Sequence, residues 1–185
     1  MDNLCHDSPR WLALTLFLLA LPVFARGVYQ TDREFLKEVF DGDPPRAKVL
    51  WLSSELKPRI KAILGHPYSR LRVKYWRRGS RSAWILDEIG KEKPITVGFV
   101  IENGRIRRVK VLAFRESRGW EVVQPFFTRQ FEDAALNRNL ALDRPIDGIT
   151  GATLSVNALK KLARLALYLQ SVETNAKPTH EKKSH

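Results

Sequence analysis

The chain has 185 residues, 44% hydrophobic and 28% charged, which suffices for one compact domain and excludes a wholly disordered chain. Lysine and arginine number 32 against 20 acids, a net charge of +12. The single Cys5 and single Met1 precede the first apolar run, so a chain cleaved after that run has no thiolate for disulfides, iron–sulfur clusters, haem attachment or nucleophilic catalysis. Redox chemistry in such a chain requires an organic cofactor.

Residues 11–24 (WLALTLFLLALPVF) form that run. It is shorter than the roughly 20 residues of a membrane span and has the length of a secretory h-region. Val23 and Ala25 supply small residues at −3 and −1, which predicts a signal peptide over residues 1–25 and an extracytoplasmic or periplasmic location. The alternatives are an uncleaved anchor or a buried helix. Cleavage removes Arg10, Asp2 and Asp7 and leaves +13.

Residues 26–90 read as an accessory helical and strand region. Thr31 and Glu34 have the spacing of a capping box ahead of Phe35, Leu36, Val39 and Phe40, and residues 41–45 break that helix. A second helical region is expected over 46–64, limited by Pro58 and stopped by Gly65. The period then becomes two. Leu71, Val73 and Tyr75 alternate with Arg70, Arg72 and Lys74 in a half-buried strand. After a turn at 77–81, strands are predicted at 83–89, 94–102 and 105–114, the last two joined by the hairpin pair Asn103-Gly104. A short helix is expected at 126–136, a loop at 137–145, an amphipathic helix at 154–170 and a disordered polar tail at 171–185. The fold class is therefore α+β: an antiparallel meander of about four strands packed with helices, and a C-terminal amphipathic helix.

The informative stretch is Asp147-Gly148-Ile149-Thr150-Gly151-Ala152-Thr153-Leu154-Ser155, which feeds that last helix. A helix start offers free N–H groups and the positive end of the dipole, so it favours a phosphate. Gly151 and Ala152 keep bulk away from such a group. The same residues also suit an ordinary N-cap made by Thr150 or Thr153.

The stretch resembles the D-x-x-[ST]-G-A-T motif of the covalent FMN-binding domain family, whose members include subunits of sodium-pumping NADH–quinone reductase and of the Rnf complex. The resemblance extends over about residues 91–170. It implies FMN joined to Thr153 through a phosphoester, with Asp147, Gly148, Thr150, Gly151 and Ala152 in recognition and positioning. It implies a separate flavin transferase that uses FAD as donor. A second family segment, H-x-E-T-x-G, corresponds to residues 114–119. Glu116 and Gly119 keep its pattern, Ser117 replaces the Thr, Arg118 takes the variable place and Phe114 replaces the His. Arg115 or Arg118 would stabilise charge on a reduced flavin, and Trp120 or Phe126 would stack on its ring.

The resemblance makes the protein an exported flavoprotein that carries electrons between membrane-bound and extracytoplasmic partners, a carrier more than a stand-alone enzyme. A different class stays open. Arg70, Arg72, Lys74, Arg77, Arg78 and Arg81 form one basic run, and Arg105, Arg107, Arg108 and Lys110 another. They are consistent with a non-catalytic module that binds an anionic partner or an anionic membrane surface. Nucleic acid is not expected, because export argues against it. His66, between Gly65 and Pro67, reads as a turn residue. No metal-ligand spacing, nucleophile elbow or dinucleotide fingerprint occurs in the sequence.

Overall fold

The computed structural model describes residues 27–175. The apolar run at 11–24, the expected cleavage site and residues 176–185 lie outside them. Helix α1 (Asp32–Val39) starts at the predicted capping box: the Glu34 N–H donates to Thr31 Oγ1 at 3.2 Å, and the Glu34 carboxylate accepts from the Thr31 N–H at 2.8 Å. Then follow β1 (Lys48–Trp51), α2 (Leu56–Leu64), β2 (Arg72–Arg78), β3 (Arg81–Ile89), β4 (Pro94–Glu102) and β5 (Arg105–Phe114). A 3-10 turn at Trp120–Val123, the four-residue α3 (Pro125–Thr128), a second 3-10 turn at Arg129–Phe131 and the long α4 (Thr153–Asn175) complete the order.

The strands form one antiparallel sheet in sequence order, β1-β2-β3-β4-β5. This is the expected α+β meander with one strand more. The extra strand replaces the first part of the helical region expected at 46–64. Four residues are too few to show alternation, and Lys48–Trp51 becomes a strand by pairing with β2, Val49 opposite Lys74 and Trp51 opposite Arg72. Pro58 falls in the first turn of α2, where its missing N–H is no loss, and Gly65 ends that helix at φ +82°. The predicted turn at 77–81 shrinks to Gly79-Ser80, because β2 and β3 pair out to Arg78 opposite Arg81. Asn103 and Gly104 both take positive φ, 52° and 76°, as a two-residue hairpin requires.

The short helix expected at 126–136 ends earlier. Past Phe131 the backbone bonds to β5 instead, with the Asp133 N–H on Ile106 O at 2.7 Å and the Ile106 N–H on Ala134 O at 2.9 Å. Residues 171–175 are helical rather than a frayed tail. Glu173, in the last turn of α4, accepts from the Tyr75 hydroxyl at 3.2 Å and from Arg77. Burial and the Glu173 charge together push the Tyr75 phenol up to about 12.

One sheet face packs against α4 and α2. Its centre is Trp84, which stacks on Tyr75 at 4.8 Å and donates from its indole to Ser82 Oγ at 3.1 Å and Gln170 Oε1 at 3.2 Å. The other face packs a smaller cluster, Phe35, Leu36, Val39 and Phe40 of α1 on Ala83, Val100 and Leu112. Gly98 lets the Phe35 ring lie on the sheet, since a Cβ there would sit 2.6 Å from it. Among the described residues no helix is long and apolar enough to cross a membrane.

Candidate functional site

The site is built at the start of α4. The backbone leaves β5 by way of α3 and reaches Asp147, whose N–H donates to Gln130 Oε1 at 2.7 Å. Gly151 turns the chain at φ +82°, a conformation that suits glycine. The Ala152 N–H closes a turn on Ile149 O at 3.0 Å, and the Val156 N–H on Ala152 O at 2.9 Å is the first bond of the helix. Ala152 thus occupies the cap position, and alanine has no side-chain oxygen to offer. The N–H groups of Thr153, Leu154 and Ser155 have no acceptor among the described residues. Neither the Thr150 nor the Thr153 hydroxyl caps them there, so the ordinary N-cap expected from either threonine is not formed.

Three donors without an acceptor among the described residues thus stand at the positive end of the 23-residue α4, where Thr153 is exposed. Such a helix start suits an anion. Asp147, Gly148 and Thr150 are exposed beside it, and Ala152 is buried beneath it. Gly148 and Gly151 both border open space, with nothing within 4 Å of an added Cβ, so the protein's own packing calls for neither glycine.

The second predicted segment meets the first through Gly119. This residue has φ +83°, and a Cβ on it would lie 2.8 Å from Ser155 Oγ and 3.4 Å from the Ala152 Cβ. Glycine therefore lets the loop after β5 touch the first turn of α4. Ser117 and Arg118 are exposed on that loop. Glu116, on the same loop, is held by backbone donors. Its Oε1 accepts from the N–H groups of Lys91, Glu92 and Lys93 at 2.6, 2.7 and 2.8 Å, and it packs on Gly90. Burial raises its pKa, but the three donors outweigh that and hold the carboxyl below its ordinary value. The carboxylate thereby ties the Gly119 loop to the β3–β4 turn.

Arg115 turns away from this site. It donates to Pro94 O at 3.2 Å and Thr96 Oγ1 at 3.1 Å, in a cavity on the α1 face of the sheet. Trp120 follows Gly119 and is 53% exposed, Phe126 of α3 is 62% exposed, and Leu154 on the first turn of α4 is 50% exposed. Beside Leu154 lies a cavity of about 510 Å³, with Ile89, Gly90 and Ile146 in its wall and Arg144, Lys161 and Arg164 at its rim. His66 pairs with the buried Glu88 at 2.9 Å, near the end of β3.

Sequence reasoning missed three residues that shape the site. Ser155 is buried under Gly119, Gln130 anchors Asp147, and Gly90 receives Glu116. Gln130 and Gly90 carry no local signal, because each acts on a residue far along the chain. Ser155 closes the informative stretch, but nothing local shows that Gly119 rests on it.

The family model of the FMN-binding domain matches residues 90–168, from the Gly90 that receives Glu116 into α4. A search of the curated proteins finds no match to the chain.

Proposed function

We propose, from the match of residues 90–168 to the family model of the FMN-binding domain, that this is a flavoprotein and that its FMN is held covalently on Thr153. The observation that carries the reading is the helix start at Ala152, where three N–H donors have no acceptor among the described residues beside an exposed threonine hydroxyl. A flavin transferase forms the link. The Thr153 oxygen bonds to the flavin-side phosphorus of FAD, the pyrophosphate bond breaks, AMP leaves, and the hydroxyl proton passes to a base on the transferase.

Once bound, the flavin supplies reversible electron transfer, and the chain supplies everything around it. The donors of Thr153, Leu154 and Ser155 neutralise the phosphodiester charge. Gly148 and Gly151 leave space open beside the attachment point. Glu116 and Gly119 fix the loop that carries Ser117, Arg118 and Trp120 next to it, and Arg118 places a cation there. The apolar surface of Leu154, Trp120 and Phe126 offers contact for a planar ring.

In this reading the protein is exported and carries electrons between membrane-bound and extracytoplasmic redox partners. The intact mass of the denatured full chain, coexpressed with an active flavin transferase, tests the attachment. Wild type should gain the mass of one FMN, less water, and Thr153→Ala should gain none, with unchanged far-UV circular dichroism because Thr153 is exposed. Flavin mass retained on Thr153→Ala overturns the assignment.

A further inference from the structure

The sheet face that α1 leaves open points to a second role. β1 and β2 lie in register so that Val49 stands opposite Lys74 and Trp51 opposite Arg72, which puts these four side chains on one face of the sheet. Trp51 is 64% exposed and Val49 40%. The Arg72 guanidinium lies 5.6 Å from the Trp51 ring. Neither Arg72 nor Lys74 has a carboxylate at salt-bridge distance among the described residues. The same face deepens, between β2 and the start of α1, into a cavity of about 610 Å³ with Trp76, Ile85 and Leu112 in its floor. Its charged groups are Arg70, Arg72, Lys74 and Arg115 against Asp32 and Asp87. Asp87 is already held by Arg70 at 2.5 Å and by the Thr96 hydroxyl at 2.7 Å. Burial and the nearby Asp87 raise the pKa of Asp32.

We propose that this face, Val49, Trp51, Arg72 and Lys74 with the adjoining cavity, docks the protein on an anionic phospholipid surface. Trp51 and Val49 enter the headgroup region, and Arg72 and Lys74 reach lipid phosphates. The chemistry favours a bilayer over an acidic protein. A bilayer interface accepts an indole and an aliphatic side chain at headgroup depth while long basic side chains extend to the phosphates. An acidic protein surface matches the cations but sets Trp51 and Val49 against charged groups. The face lies on the opposite side of the sheet from α4, so docking leaves the start of that helix accessible. The proposal does not depend on the flavin reading.

Cosedimentation of the full chain with phosphatidylcholine vesicles, with and without phosphatidylglycerol, tests it. Any contribution of residues 11–24 is common to both vesicles, so the anionic preference is the readout. Wild type should favour the anionic vesicles. Each cation removed should cost roughly fivefold of that preference, so Arg72→Gln with Lys74→Gln should lose about twenty-fivefold. Trp51→Ala should weaken binding to the anionic vesicles, and all variants should still take up flavin if the attachment reading holds. No anionic preference in wild type, or the same preference in the double variant, overturns the proposal. So does equally tight binding to soluble poly-glutamate that Trp51→Ala leaves unchanged, which assigns the face to an acidic protein instead.

Discussion

The two faces of the sheet differ in how they are covered. A helix is about 10 Å across and strands are spaced about 4.8 Å apart, so one helix shields roughly two strands. On one face α4 lies over β3 and β4, α2 packs beside it, and the segment of short helical turns after β5 covers that strand. The result is a continuous core from Leu52 to Leu169. On the other face the eight-residue α1 stands alone over β3 and β4. β1 and the start of β2 stay open there, and that is where Trp51, Arg72 and Lys74 stand exposed. The covered face makes the platform that aims the start of α4. The half-covered face leaves surface for a partner.

The sharpest way to break this contrast is Trp84→Ala. It empties a fully buried site, removes the stack on Tyr75 and leaves Ser82 and Gln170 without the indole donor. We expect a loss of about 3–5 kcal/mol in denaturant unfolding, with α4 losing its seat. A loss under 1 kcal/mol would mean that the α4 face is not the stabilising one. On the other face, Gly98→Ala drives a methyl into the Phe35 ring and should cost about 1–3 kcal/mol by the same measurement. An effect as large as that of Trp84→Ala would put the two faces on a par.

The smallest effect is a pH dependence at the seam between the β3–β4 turn and the Gly119 loop. Glu116 has a folded pKa below its ordinary value, so the unfolded chain binds the proton more readily. Its contribution is present above the ordinary carboxyl range and is lost as pH falls through the lowered folded pKa. Stability of wild type should therefore fall more steeply than that of Glu116→Gln across that acidic window. Parallel curves would show that the three backbone donors add nothing specific to the charge. His66 runs the other way. Backbone bonding at Pro67 and its bond to Glu88 raise its pKa, so its small contribution is present below the ordinary histidine value and fades as pH rises through the raised one.

Much of the fold was legible because its signals are local. The capping box at Thr31, the alternation in β2, the Asn103-Gly104 hairpin and the amphipathic face of α4 each depend on residues a few positions apart. The structure places them where the sequence predicts, except that β2 starts only at Arg72, so that Val73 and Tyr75 are buried as expected while Leu71, ahead of the strand, is exposed. The short β1 was not legible, since only its partner β2, some twenty residues on, makes a strand of it. The last turn of α4 was read as tail because the contacts that hold it, from Arg77 and Tyr75, come from nearly a hundred residues upstream.

The candidate site divides in the same way. The helix start, the two glycines and the threonine are legible along the chain, because a motif is a run of neighbours and a helix end exposes its donors wherever it falls. That Ala152, not a threonine, occupies the cap position is settled by the folded chain. The same holds for the seating of Gly119 on Ser155, the bonds of Glu116 to the Lys91–Lys93 turn, and the placing of Arg115 on the far side of the sheet. Those outcomes rest on where separate strands bring their ends together, and the pairing energy that fixes this is shared along the whole sheet rather than written at any one position.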